Sequence, residues 1–210
     1  MQKMKMEKKR MNISIKLYDI EKKMNKLKTI FILLIFINTG CNNNKVKLYP
    51  NGNIEIEIHN DTCYWYYPNG EIEEKFVYIN NKREGISYSF FPNGDTAIIQ
   101  SYKNNLLDGR FISFYENGNR RVTSTYVKDK EEGVGYYFHE NGNIASITNV
   151  KMGTRIDSQY RYDESGRLQS KFYVDNEGKI TETTFFDSVG NITEVINNQD
   201  IIMPDSAYLK

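Results

Sequence analysis

A four-residue turn motif ending in glycine recurs along the chain from residue 49 onward. The glycines that close it are Gly52, Gly70, Gly94, Gly118, Gly142, Gly166 and Gly190. The first interval, from Gly52 to Gly70, is the shortest, and the five intervals from Gly70 to Gly190 are all equal. A fixed period of this size is typical of repeat proteins, in which each repeat is one small supersecondary unit that stacks on its neighbours. The period therefore constrains this chain to a repeat architecture.

The chemistry of the motif predicts what each unit is. In the motif ending at Gly70, Pro presets the second position of a type I turn, Asn tolerates the third, and Gly closes a hairpin in the left-handed conformation. A second glycine set, Gly85, Gly109 and Gly133, recurs at the same interval. No stretch after Cys41 has helical periodicity. The predicted fold class is all-β, an elongated antiparallel β-meander of repeated hairpins over residues 49–197, followed by a C-terminal tail at 198–210.

Strand alternation predicts two different faces for this sheet. Even offsets from the turn glycines carry aromatic or β-branched residues at many positions, which predicts one core face. The residues four before each glycine are Tyr66, Phe90, Phe114, Phe138, Tyr162 and Phe186, and those eight after include Tyr78, Tyr102 and Tyr126. The odd-offset face is mostly polar, yet it carries the aromatic residues Trp65, Tyr67, Phe91, Tyr115 and Tyr137. Exposed aromatic clusters mark interaction sites, so these five form a candidate binding face; the alternative is that bulges fold them against their own turns.

The N-terminus has the three-part layout of an export signal. A short basic stretch begins at Met24, an apolar run extends over residues 30–37, and small residues precede Cys41. This apolar run is far shorter than the roughly 20 residues that a membrane-spanning helix needs. We therefore expect a cleavable signal peptide at 24–40. Residues 1–23 are interpreted as an over-long start or a basic extension.

The residues around the expected cleavage site resemble the lipobox of bacterial lipoproteins. Thr39 and Gly40 precede Cys41 as small residues do in that family, whereas Asn38 stands where the family usually has an apolar residue. The resemblance implies that Cys41 is lipidated and that residues 41–48 begin with this anchor and form a tether. Asn42, which is not Asp, implies delivery to the outer membrane under the same family's sorting rules. The expected location is the bacterial cell envelope, with the membrane as a partner through the lipid anchor.

The repeats, with Gly, an aromatic pair and Asn-Gly at fixed spacing, resemble the variant MORN repeat of bacterial proteins labelled YwqK-family antitoxin components. The resemblance covers about residues 46–197, and the stretch 160–168 is also similar to the YD repeat of secreted bacterial shell proteins. Such repeats imply binding to proteins or a position near membranes. The leading hypothesis is an envelope-anchored scaffold that binds another protein or a cell-surface component. The alternative is an antitoxin or immunity protein that neutralises a toxin by direct binding.

Composition and motifs argue against several other functions. The first 40 residues hold 10 Lys and Arg against 3 Asp and Glu, which leaves 18 basic and 24 acidic side chains afterwards. An acidic chain lacks the cationic surface that nucleic acid requires. His59 and His139 have no partner at metal-ligand spacing, and no nucleotide-binding or nucleophile motif occurs. We therefore predict no enzyme activity, no catalytic or metal-binding residues, no cofactor and no nucleic-acid partner.

Overall fold

The computed structural model describes residues 45–202, with side chains described up to residue 197. Cys41, the expected signal peptide and the extension before it lie outside the described residues. So does the end of the chain after residue 202.

The described residues form strands and connecting turns. The strands are β1 (Lys45–Leu48), β2 (Ile54–His59), β3 (Thr62–Tyr66), β4 (Ile72–Ile79), β5 (Lys82–Phe90), β6 (Thr96–Lys103), β7 (Leu106–Phe114), β8 (Arg120–Val127), β9 (Lys130–Glu131), β10 (Gly133–Phe138), β11 (Ile144–Lys151), β12 (Thr154–Arg155), β13 (Asp157–Tyr162), β14 (Leu168–Val174), β15 (Lys179–Phe186) and β16 (Ile192–Ile202). They make one open antiparallel sheet in chain order, with β9 and β12 pairing beside β8 and β11. This arrangement confirms the predicted meander of repeated hairpins. Strand β1 lies within the predicted tether, and β16 runs past the predicted end of the repeat domain to Ile202.

Each glycine motif makes a hairpin with the same geometry. All seven motif glycines have positive φ, between 83° and 95°. In the hairpin that joins β7 to β8, the Gly118 amide donates to the Tyr115 carbonyl at 2.9 Å, and the Tyr115 amide donates to the Asn119 carbonyl at 2.8 Å. The register then shifts, because Ser113 pairs with Val122 while Phe114 pairs with Arg120. The strand after each turn thus contains one extra residue, as in a β-bulge.

The opposite ends of the strands turn more tightly. Four of these hairpins have two-residue loops with positive φ at both loop residues, at 80–81, 104–105, 128–129 and 152–153. This is the type I′ geometry, whose twist matches that of the flanking strands. The loop at 128–129 is also bonded to the start of β7, since the Asp129 amide donates to the Leu107 carbonyl at 2.8 Å and the Leu107 amide donates to the Asp129 carboxylate at 2.7 Å.

The second glycine set marks a further bulge. Gly109 has a φ of 117°, and the register between β6 and β7 shifts beside it. A Cβ at Gly109 would lie 2.9 Å from the Cβ of Ser101, so the backbone approaches too closely for a side chain. Asp157 occupies the equivalent position one repeat after Gly133 and has a φ of 58°. Here the strand is interrupted, which separates β12 from β13.

The bulge after each glycine hairpin corrects the predicted assignment of faces. The extra residue reverses the alternation across the turn, so even offsets before and after a glycine lie on opposite faces. Tyr64 pairs with Lys75, and Trp65 pairs with Glu74. The aromatic residues four before the glycines, such as Phe90 and Phe114, are half-buried and do not share a face with Tyr78, Tyr102 and Tyr126. The residues at odd offsets before the turn glycines include the most buried side chains.

We call the more buried side the packed face. It is defined by one row of directly opposed residues that crosses the sheet: Lys47, Ile56, Trp65, Glu74, Ser89, Ile98, Ser113, Val122, Tyr137, Ser146, Arg161, Ser170, Phe185 and Glu194. Cys63 and Phe76, further along the strands on the same face, are almost fully buried. No second layer covers this face among the described residues, so neighbouring side chains of the same face bury one another.

Side chains of the turns bond several repeats to the next, as far as the motif ending in Gly166, where Asp163 bonds within its own turn instead. The Tyr67 hydroxyl donates to the Phe90 carbonyl at 2.8 Å, and the Tyr115 hydroxyl donates to the Phe138 carbonyl at 2.7 Å. His139 occupies the same slot, with its Nε2 3.0 Å from the Tyr162 carbonyl oxygen. Turn asparagines add a second bond to the following motif. We call this set of bonds the turn ladder.

The turn ladder is interrupted at the motif ending in Gly94. Phe91 stands in the tyrosine slot and has no hydroxyl to donate. The Asn93 side-chain amide donates to the Asp95 carboxylate at 3.0 Å, whereas the equivalent Asn117 donates to the Glu140 carbonyl at 2.8 Å. One junction of the array therefore lacks the bonds that its neighbours have.

We expect Gly118→Val to destabilise the sheet by about 1–2 kcal/mol, because a β-branched residue is strained at positive φ. No atom lies within 4 Å of the position a new Cβ would take, so backbone strain accounts for the cost. Urea unfolding measures it. Gly118→Asn is the matched control and should cost less, since Asn tolerates this conformation. Equal stability of wild type and the Val variant would contradict the turn assignment.

Restoring the missing bonds should stabilise the array. Phe91→Tyr together with Asp95→Asn recreates the donors found in other motifs and should add roughly 0.5–1.5 kcal/mol per bond formed to the free energy of unfolding. Tyr115→Phe should lower it by a similar amount. The urea midpoints of the two variants should move in opposite directions. A destabilised double variant would show that the turns at Gly94 and Gly118 do not face each other as the other motifs do.

Candidate interaction surface

The other side of the sheet, which we call the open face, carries a second continuous row of directly opposed residues. This central row crosses the described sheet from edge to edge through Val46, Glu57, Tyr64, Lys75, Tyr88, Ile99, Ile112, Thr123, Tyr136, Ile147, Tyr160, Lys171, Thr184 and Val195. Most members are aromatic or β-branched. Directly opposed side chains lie about 4.5–5.5 Å apart, so the row is a contiguous strip rather than scattered residues.

The strip stays accessible along much of its length. Tyr136 is 39% exposed, and Ile86 and Val134, further along the strands on the same face, are exposed too. The row has few charges, and its lysines lie against tyrosine rings. Lys75 Nζ is 5.5 Å from the centroid of the Tyr64 ring, and Lys171 Nζ is 5.5 Å from that of Tyr160. A mostly uncharged aromatic surface of this kind is typical of the core of a protein interface.

The aromatic residues near the glycine turns flank the central row on the open face. Phe90 stacks on Tyr88 with 6.5 Å between ring centroids. The Tyr66 hydroxyl donates to the Glu57 carboxylate at 2.8 Å. Burial and this hydrogen bond raise the pKa of Tyr66 to about 12, and the same bond lowers the pKa of Glu57. These contacts orient the Phe90 and Tyr66 rings beside the central row.

The packed face contains a charge pair instead. Arg83 donates two hydrogen bonds to the Glu74 carboxylate, at 2.6 and 2.9 Å. Its guanidinium lies 3.9 Å from the centroid of the Phe76 ring. Burial alone would lower the pKa of Arg83, but the charge and hydrogen bonds of Glu74 raise it above its usual value. The pair is closed by its own contacts and offers no free group to a ligand.

Two further polar groups on the packed face are equally enclosed. Cys63 is fully buried, and burial raises the pKa of its thiol to about 12, so it stays a thiol near neutral pH. Glu131 accepts from the Tyr137 hydroxyl at 3.3 Å. Burial raises the pKa of Glu131, while the charge of Arg155 opposes this shift. Cys63 and Glu131 therefore contribute to the packing of this face and are not placed as reactive groups.

The five aromatic residues predicted as a binding face do not form one surface. Trp65 is buried on the packed face, and Tyr137 lies in the same row, largely enclosed. Tyr67 and Tyr115 belong to the turn ladder, and Phe91 occupies the equivalent slot. The sequence reasoning missed the central row, because a single bulge residue after each turn reverses the alternation. If the bulge residue after each turn is left out of the alternation, the sequence places Tyr64, Ile99 and Tyr136 on the same face.

The remaining candidate ligands stay apart. His59 Nε2 lies 2.8 Å from the Glu57 carboxylate, and His139 belongs to the turn ladder. Within residues 45–202, no three His, Cys, Asp or Glu side chains are placed to hold a metal ion. The described part of the chain also contains no helix of a length and polarity suited to crossing a membrane.

Comparison with known families agrees with this geometry. Four consecutive segments match the MORN repeat variant. They are residues 62–80, 83–104, 107–128 and 131–152, and each contains a strand, a glycine hairpin and the strand that follows. The MORN repeat variants and the β-meander are typically non-catalytic binding modules, which indicates a binding role based on the repeats.

Comparisons with curated sequences and with solved structures show less similarity. No curated protein sequence matches this chain. Among solved structures, the crystal structure of accessory secretory protein 1,2 and 3 in Streptococcus pneumoniae is similar at 16% sequence identity, over 81% of this chain and 24% of that chain, with a TM-score of 0.17. The present chain thus spans about a quarter of that chain's length.

Proposed function

We propose that this protein is an envelope lipoprotein, anchored through Cys41, whose open face binds another protein. The central row is the observation that carries this proposal. It joins one residue of every main strand into a strip that is mostly aromatic or β-branched, with Glu57, Lys75 and Lys171 as its charged members and with Tyr136 exposed. Protein interfaces are rich in aromatic residues and poor in charges at their centre.

The anchor and the surface have complementary roles in this proposal. A repeat sheet that uses one face for its own packing has the other face free for a partner. Cys41 lies shortly before β1 in the chain, so a lipid there would hold the sheet close to the membrane surface. A diacylglyceryl group with an additional acyl chain exceeds the two signals that stable anchoring requires.

The first test concerns the anchor. We expect the wild-type chain to fractionate with membranes and to incorporate a palmitate analogue, and Cys41→Ser to do neither. The mass of the mature wild type should lack residues 24–40, because the expected cleavage precedes Cys41. Soluble, unlabelled wild type that retains those residues would disprove the anchor without bearing on the open face.

The second test concerns the open face. A photo-crosslinking amino acid placed at Tyr136 or Ile86 should capture a protein in intact cells, whereas the same group at Glu116, in an exposed turn, should not. Once that protein is purified, Tyr136→Lys should weaken its binding by roughly tenfold or more, as expected for a buried aromatic contact. Glu116→Lys is the matched control and should bind normally.

Equal capture from Glu116 and Tyr136, or normal binding of Tyr136→Lys, would show that the open face is not the binding surface. If the captured protein is a toxin, and expression of the wild-type chain but not of Tyr136→Lys protects cells from it, the result supports the antitoxin alternative on the same face.

A further inference from the structure

Five of the glycine motifs contain an Asn-Gly pair. Their asparagines are Asn51, Asn69, Asn93, Asn117 and Asn141, and all five are exposed. Asparagine is chemically labile, and a following glycine makes it more so, because a backbone nitrogen without a neighbouring side chain can reach the asparagine side-chain carbon. The fold therefore presents the same reactive pair five times, and the surroundings of each pair decide whether it deamidates.

The turn itself opposes this reaction in the same way in all five motifs. The asparagine side-chain oxygen accepts a hydrogen bond from the amide two residues later, at 2.9–3.1 Å. The glycine amide donates to the carbonyl of the first turn residue, at 2.9–3.0 Å. Before the glycine nitrogen can attack, it must leave this bond, and the asparagine must rotate about its own backbone. Deamidation therefore requires a local opening of the turn.

The bonds that resist such an opening differ between the motifs. In four of them the asparagine side-chain amide donates to a carbonyl of the following turn, at 2.6–3.2 Å: Asn51 to Pro68, Asn69 to Pro92, Asn117 to Glu140 and Asn141 to Glu164. A tyrosine or histidine of the same turn adds a second bond in each case. Asn93 instead donates to Asp95 of its own turn at 3.0 Å, and Phe91 has no hydroxyl. Among the five turns, the one at Asn93 is therefore the least tied to its neighbour.

We propose that Asn93 is a site of spontaneous deamidation, whereas the other four Asn-Gly pairs are protected by the turn ladder. The Gly94 nitrogen, after losing its proton to solvent, attacks Cγ of Asn93. The new N–Cγ bond closes a succinimide ring, the Cγ–Nδ2 bond breaks, and the side-chain nitrogen takes a proton from water and leaves as ammonia. A water molecule then opens the ring at either of its two carbonyls, which gives aspartate or isoaspartate.

The products change the turn in which they form. Isoaspartate inserts an extra carbon into the backbone between β5 and β6, so the bond from the Gly94 amide to the Phe91 carbonyl cannot keep its geometry. Either product also places a second carboxylate beside Asp95. The reaction therefore weakens, as the protein ages, a junction that already lacks the bonds of its neighbours. This modification goes beyond the proposed partner binding and depends neither on the lipid anchor nor on the open face.

Peptide mapping of aged protein tests the site. The full chain is incubated in its folded state at mildly alkaline pH, digested briefly at acidic pH, and analysed by chromatography and mass spectrometry. Asn93 should convert to aspartate and isoaspartate about threefold or more faster than Asn117, which is the change in opening expected from the loss of one ordinary hydrogen bond. In denaturant the two rates should become similar, because the turns no longer exist.

A variant that restores the missing donors supplies the first control. Phe91→Tyr with Asp95→Asn gives the Gly94 turn the side chains of the other motifs and leaves the Asn-Gly pair unchanged. In the folded protein this variant should slow the deamidation of Asn93 to about the rate of Asn117, roughly threefold or more.

The reverse exchange supplies the second control. Tyr115→Phe with Asn119→Asp removes donors from the Gly118 turn, both of which bond to the following motif in the wild type. This variant should speed the deamidation of Asn117 by about threefold or more. The rate at Asn141, whose own turn is unchanged, is the internal reference.

Several results would overturn the proposal. Asn117 or Asn141 reacting as fast as Asn93 in the folded protein, or no reaction at any of them, would show that the turn ladder does not select the site. A faster reaction of Asn93 that persists in denaturant would assign the difference to local sequence. An unchanged rate at Asn93 in Phe91→Tyr with Asp95→Asn, or at Asn117 in the reverse exchange, would show that the missing donors are not the cause.

Discussion

The structure depends on the one extra residue that each glycine hairpin places in the strand after the turn. The left-handed glycine closes the turn, and the bulge that follows sets the register of the two strands. Because every hairpin has the same shift, every junction between hairpins has the same pairing rule. The shift also decides which side chains share a face. Trp65 and Glu74 meet on the packed face, and Tyr64 and Lys75 meet on the open face.

A single sheet of this kind must stabilise itself without a covering layer among its described residues. Side chains of the packed face bury one another, with Phe76 and Cys63 among the most enclosed. At both ends of the strands, hydrogen bonds link neighbouring repeats over much of the array, through Tyr115 at the glycine turns and through Asp129 at the tight loops. Contacts are therefore between nearest neighbours, and stability accumulates along the array. The interruption at Phe91 makes one junction weaker than those around it.

The two faces use their side chains differently, and this difference favours a binding function for the open face. The packed face uses its charges internally, since the carboxylate of Glu74 is already held by Arg83. Its thiol is buried and protonated. The open face has no comparable demand on its side chains, and its rings are held in place by flanking contacts such as Phe90 against Tyr88. A mostly uncharged strip is suited to a partner with a matching surface.

The sequence by itself determined the repeat, the positions of the turns and the all-β class, because Asn-Gly turns and a constant glycine interval have local physical causes. It did not determine the faces. Alternation is reliable only within one strand, and the bulge that reverses it at each turn is visible only once strands are paired. Tertiary structure alone therefore decided that Trp65 is buried and that the central row exists.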